Sequence, residues 1–222
     1  MKIISQSAKI LDPVSMEAGV NVLRLCEYAG RTCYDSQDKI TNDSYERFLK
    51  SIIKRGHTSV LEHGKVTLEI ITSRDVLAEI TRHRIASFSV QSQRYVNADS
   101  SDGVHFIRPD FYVPVGGDKI DAKTWCASRE WEAQVRSAEA SYRELRNEYG
   151  STPEDARKVL PNSTATKIVM TVNLRELMHI IELRTSPRAY PEMRTMMACV
   201  INELEKVFPP FWTWGKEEES DG

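Results

Sequence analysis

Only two short stretches of this 222-residue chain have the patterning of β-strands, and long helical stretches separate them. From Lys65 to Ile70, the apolar Val66, Leu68 and Ile70 alternate with Lys65, Thr67 and Glu69, which is the period of a half-buried strand. Ile168 to Val172 is a compact run of β-type composition. With helices clearly outnumbering strands, the chain reads as α/β or α+β, a small mixed or antiparallel sheet flanked by several helices.

The helical stretches carry their own punctuation. Val20, Leu23 and Cys26 predict a first helix closing near Gly30, and Tyr45, Phe48, Leu49, Ile52 and Ile53 a second ending at Gly56, both glycines suiting the position just past a helix end. After the first strand, Ser73 reads as an N-cap for a helix with Val76, Leu77 and Ile80 inward, and Arg82, His83 and Arg84 follow at or just beyond its last turn. Val96 to Asp121, rich in Asp, Pro and Gly, predicts loop or short irregular elements. A long helix follows, with Trp131, Val135, Ala138, Tyr142, Leu145 and Tyr149 on one stripe and Gly150 as its stop. A short helix is expected from Pro153 to Pro161. Asn173 with Glu176 resembles a capping box before Leu174, Leu177, Met178 and Ile181, and a last helix from Pro191 places Met193, Met196, Met197, Val200, Ile201, Leu204 and Val207 in the core or a subunit contact. Residues 1–215 are expected to form one domain, and 216–222 a charged flexible tail.

Composition narrows the function classes. Thirty Lys+Arg against 32 Asp+Glu give a net charge of −2, so nothing about the whole molecule favours a polyanion and any anion site must be local. Cys26, Cys33, Cys126 and Cys199 are far apart and form no CxxC pair, as expected of reduced cytosolic thiols. Met1 to Leu11 is too polar for a signal segment, and no apolar run approaches a membrane span, so a soluble, cytoplasmic protein without membrane contact is expected.

The local anion site is easy to find. Between Ile80 and Ala98 there is no carboxylate, yet Arg82, His83, Arg84 and Arg94 lie there with Ser87, Ser89, Ser92, Gln91 and Gln93 among them. The planar guanidinium matches two phosphate oxygens and stays charged at any working pH. Three dispersed arginines would be as well explained by surface ion pairing, but consecutive like charges repel unless a ligand or partner neutralises them.

Arg82-His83-Arg84, seven residues and Ser92, followed by Arg94 and Tyr95, resembles the RHR-x7-S signature of the flavin-dependent thymidylate synthase family. Other segments agree in the same order: Ala29 to Tyr34, with Cys33 where serine is common; Gly56-His57-Thr58-Ser59-Val60-Leu61-Glu62-His63; Glu154-Asp155-Ala156-Arg157 before Leu160-Pro161; and Asn173, Arg175, Leu183-Arg184, Ala189 and Glu192. The resemblance covers most of the chain. It implies that family's fold, a homotetramer with active sites between subunits, and the conversion of dUMP to dTMP with FAD as cofactor and 5,10-methylenetetrahydrofolate and NADPH as co-substrates.

It also implies roles. Ser59, Arg82, His83, Arg84, Asn173, Arg175 and His179 are similar to positions that hold FAD, and no glycine-rich Rossmann loop exists here to do so. Glu79, Arg82, Ser92, Gln93, Arg94, Arg157 and Arg184 resemble dUMP contacts, with Ser92, Gln93 and Arg94 at the phosphate and Arg157 and Arg184 at the uracil. His57 resembles the residue that governs flavin and folate access, and no metal is implied. Arg184 is the implied catalytic residue: a guanidinium that keeps its proton polarises the pyrimidine electrostatically, replacing a cysteine nucleophile. Taken singly, His57 and His63 are more often structural histidines, Arg157 a surface ion pair and Arg184 a helix-end cation.

Val90, Glu79 and Tyr190 stand where relatives usually have Gln or Glu, Gln, and Gln. These departures leave room for a relative that modifies another pyrimidine nucleotide or installs hydroxymethyl. Two rivals from other classes are a nucleic-acid-binding module, disfavoured by near-neutral charge and few stacking aromatics beyond Phe88 and Tyr95, and a metal site on His57, Glu62 and His63, whose spacing is unlike HExxH.

Overall fold

The computed structural model describes residues 1–98, 103–115 and 121–214, so the tail expectation for 216–222 lies outside the described residues. In chain order the elements are β1 (Lys2–Ile4), β2 (Ser7–Asp12), α1 (Met16–Thr32), α2 (Ser44–Lys54), β3 (Lys65–Ser73), α3 (Arg74–Ile80), β4 (Ala86–Val90), β5 (His105–Ile107), α4 (Ala122–Asn147), α5 (Pro153–Ala156), β6 (Ala165–Asn173), α6 (Leu174–Thr185) and α7 (Pro191–Leu204). β2, β3, β6 and β4 lie in that order in a small antiparallel sheet, with Thr67 and Thr171 hydroxyls 3.0 Å apart across β3 and β6. The α+β expectation holds.

Both expected strands are longer than their apolar runs. In β3 the inward positions continue from Val66, Leu68 and Ile70 to Thr72, and in β6 they begin at Thr166 before Ile168, Met170 and Val172. A buried hydroxyl must find a partner. Thr72 donates to the Gln6 amide oxygen, and Thr166 accepts from Arg74 at 3.2 Å, so polar residues occupy core-facing positions and hide the strand ends from a hydropathy pattern.

Two compact units are formed, each from separate stretches of chain: Met1–Ser7, Ile70–Arg82 and Ser89–Ile168 in the first, Ala8–Glu69, His83–Phe88 and Val169–Gly222 in the second. In the first unit Val135 and Tyr142 of α4 pack with Val104, Phe106 and Ala156, and part-buried Trp131, Leu145 and Leu160 close the cluster. The expected stripe holds except at Tyr149, which lies beyond the helix, exposed, with its hydroxyl on Glu144. The stretch expected to be irregular contains β5, paired in parallel with β1 as Lys2↔His105, Ile3↔Phe106 and Ile4↔Ile107. The helix expected from Pro153 to Pro161 stops at Ala156 and gives way to a 3-10 turn, Arg157–Val159.

In the second unit α1 packs on α2, and α6 on α7, around Leu23, Leu49, Leu61, Leu177, Met196 and Met197. Gly30 does not end α1, which runs on to Thr32; a Cβ there would stand 2.7 Å from the Phe48 ring, so glycine serves the close packing of α1 on α2. Gly56 does end α2. With φ of +75° it donates to Ile53 O at 2.9 Å, and the next amide, His57, donates to Ile52 O at 2.9 Å, the paired bonds of a Schellman closure. The expected cap of α3 is only positional, because the Ser73 hydroxyl bonds Asp75 and makes no cap bond. At α6, Asn173 accepts from the Glu176 amide at 2.9 Å, but the returning arm of the capping box is missing: the Glu176 carboxylate binds His83.

Candidate active site

α3 closes at Thr81, and the chain turns through Arg82, His83 and Arg84 into β4, which puts the three residues just beyond the helix as their sequence position implied. They are not three cations in a row facing solvent. Arg82 and Arg84 are exposed, whereas His83 is buried, with 6% of its surface accessible.

In the second unit, His83 Nδ1 lies 3.0 Å from Glu176 Oε1, and Arg184 Nε donates to His83 Nε2 at 3.0 Å. His179 meets the His83 ring edge-on, centroids 5.9 Å apart. All three partners come from α6, within about two and a half turns, and the Arg184 side chain reaches back toward the helix start as long helical side chains do. The protonation state follows from donor chemistry. An arginine Nε only donates, so His83 Nε2 must accept, and the single imidazole proton sits on Nδ1 and is donated to Glu176. Burial holds the His83 pKa below its ordinary 6.5, and Arg184 and His179 push it the same way, together outweighing the pull of Glu176. His83 is therefore a neutral imidazole with a defined tautomer.

Around this chain of bonds the same unit presents other residues singled out by sequence. Arg84, Arg175, His179, Ser59 and His57 are exposed, and Asn173 is half-buried with its carbonyl oxygen used in the α6 cap. His57 and Ser59 stand on the Schellman closure and the 3-10 turn that follows it. Arg175 pairs with Glu62 of that turn in a half-exposed ion pair, a contact worth little and easily exchanged for another anion. Exposed Arg, His and Ser donors with one exchangeable carboxylate fit the phosphates of a dinucleotide.

In the first unit, Ser92 and Gln93 line a cavity of about 370 Å³ together with Val96, His105, Thr166 and Lys167, a size that suits a small ligand. Ser92 shapes the turn: its hydroxyl accepts from the Arg94 amide at 3.2 Å and its carbonyl from the Val96 amide at 3.0 Å. Arg94 itself pairs with Glu154 at 2.9 Å and lies over the Tyr95 ring. Arg157 donates through Nε to the Glu154 carbonyl at 3.1 Å, so Glu154 engages both arginines. Glu79, half-buried, accepts the Arg82 amide on its carbonyl at 3.2 Å. Of the residues expected at a nucleotide, Arg184 belongs to the second unit and the others to the first.

Two residues escaped the sequence reading. Arg74 follows the Ser73 cap, and burial, then the charge of Arg157, holds its pKa below the usual guanidinium value; its bond to Thr166 puts it beside the cavity lining. Glu176 was hidden by its own plausibility as a capping residue. The three residues of the metal alternative form no ligand cluster: among the described residues no group of three or more His, Cys, Asp or Glu is placed to hold a metal ion. Burial pushes the Cys26 thiol up to about 11, so it remains protonated and unreactive, and none of the four cysteines lies in the His83 cluster.

The fold, the clustered exposed cations and the ligand-sized cavity suit an enzyme that acts on an anionic nucleotide. Known proteins narrow that class. The family described as "Thymidylate synthase complementing protein" matches residues 18–210. The flavin-dependent thymidylate synthase of Pyrococcus furiosus is 34% identical over 195 residues, 86% of this chain and 76% of that protein, and its counterpart in Geobacter sulfurreducens is 36% identical over 82% and 76%. Thymidylate synthase X from Helicobacter pylori, solved with FAD and dUMP, superimposes with a TM-score of 0.67 over 96% of this chain and 97% of that one at 24% identity, which establishes the common fold. The chain belongs to the flavin-dependent thymidylate synthase family.

Proposed function

We propose that this protein converts dUMP to dTMP by reductive methylation, with 5,10-methylenetetrahydrofolate as carbon donor and FAD, reduced by NADPH, as hydride donor. The observation that carries the reading is the Arg184 guanidinium, held at Nε by a neutral histidine in a cluster without a thiol. Arg184 polarises the uracil and stabilises the negative charge that develops across N3 and its flanking carbonyls. Ser92, Gln93 and Arg94 take the nucleotide phosphate, with Arg94 exchanging Glu154 for it, and Arg157 supports the base. Arg84, Arg175, Ser59, His179 and Asn173 of the second unit hold the dinucleotide, with Arg82 preceding them in the RHR turn. His57, at the mouth of the Schellman closure, governs access. Bound FAD and the folate supply the hydride and the one-carbon unit, while the protein orients and polarises.

The relatives' names and the FAD and dUMP in the Helicobacter pylori structure support this reading, as does the family match, which crosses four of the five boundaries between the two units and favours 1–215 as one domain. A homotetramer and a cytoplasmic location, without nucleic-acid or membrane partners, complete it; among the described residues no helix is long and apolar enough to cross a membrane. The test is an absorption spectrum of the purified protein, followed by release of tritium from C5 of dUMP with folate and NADPH, with UMP and dCMP as comparators. Flavin absorbance with dUMP-dependent release is expected. A flavoprotein that turned over dCMP or UMP but not dUMP would overturn the substrate. Arg184→Ala should cost at least about 100-fold in release while leaving flavin bound; retained activity would refute its role.

A further inference from the structure

We propose that His83 and Glu176 are positioning residues that aim the Arg184 guanidinium, His83 as its neutral anchor and Glu176 as the group that fixes the tautomer of that anchor. The inference rests on the reading of Arg184 given above. A long side chain near the end of a helix has many rotamers open to it, and a bond at Nε fixes the plane of the guanidinium and with it the direction of the terminal Nη1 and Nη2 donors. At 3.0 Å, Nε to Nε2, that bond is of ordinary length and comes from a half-buried side chain onto a buried ring.

The choice of imidazole has an electrostatic consequence. Were the Glu176 carboxylate in direct contact with Arg184, it would hold the guanidinium equally well but would weaken its field more where negative charge must be stabilised, since attraction between unit charges falls off with distance. Interposing the neutral ring places the Glu176 charge one imidazole further away while keeping the geometry. Glu176 is in turn necessary because a neutral histidine can carry its proton on either nitrogen. Were it on Nε2, the ring would present a donor to a donor and expel Arg184. The carboxylate, accepting from Nδ1 at 3.0 Å, selects the tautomer that can accept. Among the described residues, the charged and titratable groups that act on His83 are Glu176, Arg184 and His179, all on α6.

The experiment uses FAD-loaded enzyme and the label-release assay. Glu176→Ala should lower kcat by about 10–100-fold while the KM for dUMP stays within about threefold, since misaiming a polarising group costs chiefly the charge stabilised in the transition state. Glu176→Gln should recover most of that loss, because its amide oxygen still accepts from Nδ1–H. In parallel, 15N-histidine NMR of the wild-type holoenzyme at pH 7, with His83 identified by its shift in the Glu176 variants, should show one neutral ring protonated on Nδ1. Wild-type kcat in Glu176→Ala, no recovery in Glu176→Gln, or an imidazolium or Nε2–H ring would overturn the relay alone. A wild-type enzyme that releases no label from dUMP would overturn the function beneath it, and the relay's catalytic role with it.

Discussion

At the scale of single residues, the buried histidine ties stability to pH. Because burial and Arg184 keep the folded pKa of His83 below 6.5, the unfolded chain binds more protons between that folded value and 6.5, and stability rises with pH across this window. The contribution is complete above 6.5 and is lost as the pH falls through the folded pKa. Thermal melts should therefore show a midpoint that declines from pH 6.5 downward before ordinary carboxylate titration begins. His83→Gln, which has no proton to take up, should flatten that first decline; an identical profile in the variant would show that another group sets it. Arg84 and Arg94 were legible as anion-seeking side chains from their charge and spacing, and Arg175 through the family resemblance. That His83, between two arginines, is neutral and inward was not, because its state depends on Glu176 and Arg184, which lie 93 and 101 residues away.

At the scale of elements, glycine does two different things. Gly56 supplies a left-handed backbone and ends α2, which its place after an apolar stripe predicted. Gly19 and Gly30 sit inside α1 with ordinary helical backbone, and a Cβ at Gly19 would collide with the carbonyl oxygen of Val207, a backbone atom that cannot rotate aside. Gly19→Ala, a change that favours an isolated helix by about 1 kcal/mol, should here destabilise the protein by about 1–3 kcal/mol, read by denaturant unfolding of paired wild-type and variant samples. A stabilised variant would mean that α1 does not pack against Val207. Long periodic helices, the alternating run within β3 and the compact apolar run within β6 were readable because each carries its hydrophobic pattern in one continuous stretch. β1, β2, β4 and β5 were not. β1 and β5 are three residues each and pair with each other across a hundred residues, and β4 leaves most of its side chains exposed.

At the scale of the whole molecule, an anionic dinucleotide held by exposed Arg84, Arg175 and their neighbours should stabilise the folded state by mass action. Added FAD at about 100 times its dissociation constant is worth about 2.7 kcal/mol, which in a chain of this length raises the melting temperature by roughly 5–11 °C. Differential scanning fluorimetry with and without FAD measures it, and Arg84→Ala should shrink the shift without lowering the melting temperature of the flavin-free protein. No shift in the wild type would remove the dinucleotide from these residues. By itself the sequence determined the class of fold, the family, the cation-rich turn and which residues are chemically able to meet a nucleotide and a flavin, because composition, periodicity and motif spacing are local properties written along the chain. Tertiary structure alone decided that Glu176 turns from cap to carboxylate partner, that His83 is uncharged, and that Arg184 is gripped at Nε, because protonation and aim are set by burial and by neighbours that only folding brings together.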